Sequence, residues 1–354
     1  MSQGLGRTDS GGEAPTYLRC QELLRKATGI AIPVYLPDNG DRDQAAALLR
    51  DTVVANVAQV DDPARVCLSV DGEENGAGVA RALGNDYGVT VVVTPVNRGK
   101  LQGVREGARV LLQRSDLAFL AVVDADNDHF ANELLTFVRT AAHMAWQTQD
   151  PRALVLGRRI SRHRPMGLLR GELEDLADQL LLSALRYYAA TTGTPLRLEY
   201  ATLLEATPDF HSGYKLFSRE TAEAVFLTEP HPAGLSDVAY YRHAVEAVMV
   251  VEAILSGARL GVINRTTHNQ QPVTTFGLLN QAQVTGDMIA WPCRRLDVPV
   301  AFVEQWLANT ASSLLLDTLV PDGRVQIEAV CHIVFEAYGE TPPDDLLARK
   351  SPFI

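Results

Sequence analysis

Lysine is the scarcest charge in this chain. Lys26, Lys100, Lys215 and Lys350 are its only lysines, and 32 basic residues in all face 43 acidic ones. The net charge of −11 argues against nucleic acid as a partner, because its phosphates need a basic surface. Cysteine is equally sparse. Cys20, Cys67, Cys293 and Cys331 lie far apart without ligand-pair spacing, which argues against a zinc site and for a reducing, cytoplasmic setting. No apolar stretch is both long enough and free enough of charge to span a membrane, and the polar, Gly-rich start is unlike a signal peptide. Two nucleotide motifs are missing as well. Asn97-Arg-Gly-Lys100 lacks a Gly five residues before Gly99 and has Leu101 where a P-loop needs Ser or Thr. Gly72, Gly76 and Gly78 do not make the dinucleotide fingerprint. P-loop ATPases and nicotinamide dehydrogenases are therefore set aside.

What is present is an ordinary globular composition, 46% hydrophobic and 21% charged over 354 residues, enough for a large core. After a Gly/Ser-rich tail over 1–14, expected to be disordered, strand and helix patterns alternate. Strands are expected over 30–36, 64–70, 89–93 and 117–123, with amphipathic helices between them. A further strand is expected over 153–157, and a long helix over 172–190. Ser236 should cap a helix running to Ser256, and a strand should follow over 259–264. Beyond Pro272 the pattern is helical, with breaks at Pro292 and Pro321. This alternation predicts an α/β fold, a mixed, mostly parallel sheet flanked by helices. The expected division is a main domain over 15–275 and a helical C-terminal extension over 276–354. Phe302, Trp306, Val330 and Phe335 in that extension fit core packing, a cover for the sheet edge, or a homodimer contact.

Chemistry concentrates where strands end, which is where ligands bind in such sheets. The apolar run 117–123 stops at Asp124-Ala125-Asp126. Residues two apart in extended chain point to one side, so Asp124 and Asp126 can face one hard divalent cation. The plain alternative is a polar loop, and Asp128 reads as the cap of the following helix. Gly99, Gly103 and Gly107 recur every four residues, which gives one helix face bare enough for a sheet or a ligand to approach.

The order Ile32-Pro-Val-Tyr35, Asp71-Gly72, Asn97-Arg-Gly-Lys100, Asp124-Ala-Asp126 resembles a GT-A nucleotide-sugar glycosyltransferase. His211-Ser-Gly-Tyr-Lys-Leu-Phe-Ser-Arg219 is similar to a segment of dolichyl-phosphate sugar transferases. Ala244-Val-Glu246, then Gly257 and His268, resembles glucosyl-3-phosphoglycerate synthase and mannosylglycerate synthase. The resemblance covers about residues 30 to 275. It implies a Rossmann-like GT-A domain that moves a hexose from a UDP- or GDP-sugar to a small hydroxyl acceptor with the help of Mg²⁺ or Mn²⁺.

Residue roles follow from the resemblance. Pro33, Val34, Tyr35 and Asp71 would hold base and ribose. Asn97 and Lys100 would lie near base or diphosphate, and Asp124 and Ala125 would line the donor. Asp126 would ligate the metal, with Asp124 beside it and His268 as a further ligand. Glu246 would be the acceptor-site carboxylate. Helical periodicity by itself marks Glu252 instead, and it stays the second choice. Lys215 is assigned to an acceptor phosphate. The basic run Arg158, Arg159, Arg162, His163, Arg164 suits an acidic acceptor or a solvated loop.

The chain also departs from the family. Leu36-Pro-Asp38 replaces the usual Asn-Glu pair, and Asp71 lacks a second Asp beside it. The lipid-phosphate transferases invert and the soluble synthases retain. The candidate metal histidine and the lack of a membrane segment favour the retaining, soluble group. Inverting transfer to a lipid phosphate, a sugar-1-phosphate nucleotidyltransferase and a non-catalytic nucleotide-sugar binder are the alternatives. The nucleotidyltransferase reading needs a Gly-rich basic loop after the first strand, and 33–39 supplies none.

Overall fold

The computed structural model describes residues 14–36, 41–201, 207–267, 280–311, 314 and 320–348, without the side chains of 164 and 165. The chain forms two compact units, each assembled from three stretches. The first takes 1–160, 197–229 and 249–273, and the second takes 161–196, 230–248 and 274–354.

The first unit is built on a seven-stranded sheet of order β3-β2-β1-β4-β6-β5-β7. The strands are β1 (Thr28–Val34), β2 (Val66–Asp71), β3 (Thr90–Thr94), β4 (Phe119–Val122), β5 (Ala153–Arg159), β6 (Lys215–Ser218) and β7 (Arg259–Arg265). β6 alone runs against its neighbours, β4 and β5. The expected mostly parallel α/β sheet is present. The segment 210–217, which carried no assigned element in the sequence, supplies the antiparallel strand.

Helices cover both faces because the strand side chains alternate. On one face Leu23 and Leu24 of α1 (Tyr17–Ala27), Leu49 and Val53 of α2 (Arg42–Val57), Leu83 of α3 (Ala77–Tyr87) and Phe137 of α5 (Leu134–Thr148) pack with Ile30, Ile32 and Leu68. α4 (Lys100–Leu112) lies on the other face, against β1 and β2. Its glycine face is pressed on the sheet. A Cβ on Gly107 would meet Ser69 Oγ at 3.1 Å, Ser69 Cβ at 3.3 Å and Ala31 Cβ at 3.5 Å. Gly103 has more room, with Ser69 O at 3.5 Å and Pro33 Cβ at 3.6 Å. α8 (Arg219–Phe226) is capped by Ser218, whose side chain accepts from Thr221 N–H.

The pairing brings the strand ends together. Val34 pairs with Val70, Asp71 with Thr94, Ala31 with Val122, and Arg159 with Arg265, all in parallel. Antiparallel pairing of Val122 with Lys215 sets the start of β6 beside the end of β4. The carboxyl ends of six strands and the residues just before β6 therefore share one rim.

The second unit is helical: α6 (His163–Met166), α7 (Leu168–Thr192), α10 (Gln281–Arg295), α11 (Val300–Thr310) and α12 (Gly323–Glu336), with α9 (Val245–Leu255) beginning in it. Leu180 and Leu181 of α7, Trp291 of α10, and Val330 and Phe335 of α12 are buried. Trp291 Nε1 donates to His231 O at 3.1 Å, and Trp306 Nε1 to Ser183 Oγ at 2.9 Å. Two expectations are corrected here. α10 runs through Pro292 to Arg295, because a proline this close to the helix end removes only one late hydrogen bond. The helix expected from Ser236 to Ser256 is interrupted: a π-turn spans Ala239–His243, Ala244 leaves helical geometry, and α9 starts at Val245. Among the described residues no helix is long and apolar enough to cross a membrane.

The two glycines of α4 should respond differently to alanine. Helix propensity favours Ala by about 1 kcal/mol at both positions. At Gly107 the fixed Ser69 Cβ opposes the new methyl, and overpacking of this kind costs about 1–3 kcal/mol. Urea denaturation should find Gly103→Ala at least as stable as the parent and Gly107→Ala less stable than Gly103→Ala.

Candidate functional site

The rim carries a compact charged site, all of it within the first unit. Val123 N–H still donates to Ala31 O at 3.0 Å, so the chain leaves the sheet only at Asp124. Lys100, the first residue of α4, places its Nζ 2.7 Å from Asp124 Oδ1. Burial opposes ionisation of Asp124, but the Lys100 ammonium overcomes it and holds the carboxyl well below the ordinary range. Among the described residues Asp126 has no such partner. Burial and the neighbouring Asp124 charge push its carboxyl up to about 6. Its Oδ1 accepts Asp128 N–H at 3.2 Å, which folds the loop back. Ala125 is tied to α2 through its carbonyl, to which Thr52 Oγ1 donates at 3.4 Å.

The Asp124 carboxylate is held from two further sides. Its backbone N–H donates to His129 Nδ1 at 3.0 Å, which puts the ring proton on Nε2, 3.7 Å from Asp124 Oδ2. Burial and the nearby Arg265 keep that imidazole neutral by lowering its pKa well below the usual value. The ring stacks on Tyr214 at 4.6 Å and 5°, and Tyr214 packs on Phe137 at 4.4 Å. Gly213 closes the other side: a Cβ there would lie well inside van der Waals contact distance of Asp124 Oδ2.

Asp128 is not the helix cap that the sequence suggests. It is buried, and Arg265 Nη1 and Nη2 donate to its Oδ2 at 3.2 and 3.3 Å. Arg265 Nε also donates to Ser212 Oγ at 3.3 Å, so one guanidinium ties the acidic loop to the turn before β6. Asp71 is turned inward too. It accepts from Thr94 Oγ1 and Arg98 N, each at 3.1 Å, and from Gly99 N. It thereby fixes the loop that delivers Lys100.

The other residues singled out by sequence fall as follows. Val34 is buried and Pro33 half-buried, while Tyr35 beyond them is exposed. Asn97 is half-buried. Lys215 is fully buried, and its Nζ donates to Ser212 O. Glu246 is half-buried in the first turn of α9 and belongs to the second unit, whereas Glu252 belongs to the first. His268 lies outside the described residues, as do Pro37 and Asp38. The basic run is largely internally paired. Arg159 grips the buried Asp209 at 2.6 and 2.8 Å, Arg162 pairs with Asp178 at 2.7 Å, and His163 with Glu172 at 2.7 Å. Arg158 stays half-buried at the end of β5.

Among the described residues no group of three or more His, Cys, Asp or Glu side chains is arranged to hold a metal. The donor set does fit a hard cation that brings other ligands with it. Asp126 is an oxygen donor whose ionisation is disfavoured until positive charge arrives. His129, Gly213 and Arg265 escaped the sequence reading as parts of this site. Gly213 stands inside the 211–219 motif and His129 three residues beyond Asp126, but Arg265 pairs with Asp128 across 137 positions and leaves no local signal.

No protein-family model matches the chain, and no curated protein does. Among solved structures it is similar to S. aureus TarS residues 1–349, at 12% identity and a TM-score of 0.44, over 88% of this chain and 80% of that one. Against the longer S. aureus TarS structure the figures are 13% and 0.42, over 90% of this chain and 50% of that one. It is also similar to the mannosyltransferase PcManGT from Pyrobaculum calidifontis in complex with GDP-Man and Mn²⁺, at 14% identity and a TM-score of 0.47, over 95% of this chain and 94% of that one.

The raised Asp126 carboxyl sets a direction for stability. The folded protein keeps this proton up to about pH 6, whereas an unfolded chain releases it near about pH 4. The folded state thus binds more protons across that window, and stability falls as pH rises through it. Asp126→Asn removes the ionisation. In EDTA at pH 7.5 it should melt roughly 2–6 °C above the parent, with the difference vanishing below about pH 4. Differential scanning calorimetry across pH measures both.

Proposed function

We propose that this chain is a metal-dependent glycosyltransferase that moves a hexose from a nucleoside-diphosphate sugar to a small, acidic hydroxyl acceptor, with retention favoured over inversion. One observation carries the reading. Lys100, Asp124 and Asp126 converge where the carboxyl ends of parallel strands meet, the place where α/β sheets bind ligands. A lysine and an acidic pair on one rim suit a diphosphate and a divalent cation together.

In this reading Tyr35 offers its exposed ring to the base, beside Pro33 and Val34. Asp71 acts through the loop it anchors, keeping Asn97 and Lys100 in place. Lys100 contacts the donor diphosphate. Asp126, with Asp124 beside it, would hold Mg²⁺ or Mn²⁺, which stabilises the charge gathering on the departing nucleoside diphosphate. His268 would add a nitrogen ligand, which suits Mn²⁺ better than Mg²⁺. The resemblance assigns the acceptor-site carboxylate to Glu246, with Glu252 as the second choice. Among the members of the basic run whose side chains are described, Arg158 is best suited to an acidic acceptor, because Arg159, Arg162 and His163 already face carboxylates. Lys215 would reach an acceptor phosphate only by leaving Ser212 O.

A donor-by-acceptor panel with UDP- and GDP-hexoses tests the reading, with product stereochemistry read by NMR. The expected outcome is Mn²⁺- or Mg²⁺-dependent transfer or slow donor hydrolysis. Asp126→Ala should lower that rate at least 100-fold, on the order of the loss when charge stabilisation is removed from an active site. An Asp126→Ala protein with unchanged metal-dependent turnover would refute the metal assignment.

A further inference from the structure

Asp124 and Asp126 are separated by one residue, yet they differ in company. Lys100 Nζ sits 2.7 Å from Asp124 Oδ1. A divalent cation approaching both carboxylates meets that ammonium first, and two cations sharing one carboxylate repel each other. The acidic pair is therefore neutralised in part by the protein itself.

The two partners differ in freedom. The Asp124 carboxylate is wedged against Gly213, where even a Cβ would clash, and its backbone N–H is held by His129 Nδ1 at 3.0 Å. Lys100 has its backbone fixed at the start of α4 by the anchored 98–99 loop, and the two side chains are similarly exposed, at 31% and 26%, but the ammonium rides on a flexible four-carbon stem. When the pair opens, the lysine is the group that moves.

We infer that Lys100 is an internal counter-ion that makes metal binding conditional on the diphosphate. The inference rests on the proposed nucleotide-sugar site and adds a coupling to it. In the free protein Lys100 occupies Asp124, and a metal approaching Asp126 meets a nearby positive charge in place of the second carboxylate. A nucleoside diphosphate offers the ammonium a new anionic partner. It also supplies phosphate oxygens, which divalent ions take readily alongside one or two protein carboxylates. Lys100 turns to the diphosphate, Asp124 is released, and the cation enters. Linkage makes the effect mutual: the metal tightens nucleotide binding by the same factor.

Free Mn²⁺, read by electron paramagnetic resonance, tests this without any turnover. Mn²⁺ is titrated into the parent, Lys100→Met, Lys100→Arg and Lys100→Met/Asp124→Asn proteins, with and without UDP or GDP. The parent should bind Mn²⁺ alone weakly, and at least tenfold more tightly with the nucleotide. Lys100→Met should bind Mn²⁺ alone at least tenfold more tightly than the parent, with the nucleotide adding little. Lys100→Arg keeps the cation and should behave like the parent, which guards against a folding artefact. The double variant should lose the gain, because the released carboxylate is gone. Equal Mn²⁺ affinity in the parent and Lys100→Met, or a gain that survives Asp124→Asn, overturns the inference. Failure of UDP and GDP to bind the parent at all, with or without Mn²⁺, overturns the nucleotide-sugar reading on which it stands.

Discussion

Like charges at Asp124 and Asp126 set the problem that this site is built around. Two carboxylates leaving one strand on the same side repel, and burial sharpens the repulsion. The protein relieves it unequally. Lys100 neutralises Asp124, and Asp126 keeps its proton to about pH 6. The asymmetry gives the two acids different work. Asp124 is bound to the protein's own cation, and Asp126 has no cation paired with it among the described residues.

Holding that asymmetry requires rigid surroundings. The 124–129 loop is fixed at both ends by buried groups: His129 returns to the Asp124 N–H, and Arg265 clamps Asp128. Removing one partner of a buried ion pair strands the other charge, so such pairs set geometry more surely than they add stability. Tyr214 and Gly213 press on the same loop from the turn before β6. They arrive there because β6 is antiparallel, so its start rather than its end meets the rim. Asp71 works in the same manner across the rim, spending both oxygens on the 98–99 backbone and the Thr94 hydroxyl. Asp71 and Asp128 thus both hold neighbouring loops in place, one through backbone N–H groups and the other through Arg265.

Much of the sheet was legible beforehand because buried parallel strands are apolar throughout and stop sharply at polar residues. β1, β2, β4 and β5 lie within a few residues of where the pattern put them. The strand at 215–218 was not legible, being short and preceded by a turn whose role depends on its neighbours. The interrupted helix near 239–244 was missed because an almost all-round apolar segment shows no periodic defect. Pro292 misled in the opposite direction, since a proline near a helix terminus need not end it.

The site divides along the same line. Asp124, Asp126 and Lys100 stand in short motifs at strand and helix ends, and their residue types limit them to charge chemistry. The sequence by itself determined which acids and which lysine reach the rim, because strand-end positions follow from local pattern. Only the tertiary structure decided that Lys100 pairs with Asp124, that Asp128 belongs to Arg265, and that Arg159, Arg162 and His163 are taken by acids. Ion pairing depends on distances between groups tens of residues apart, and only sheet order and register fix those distances.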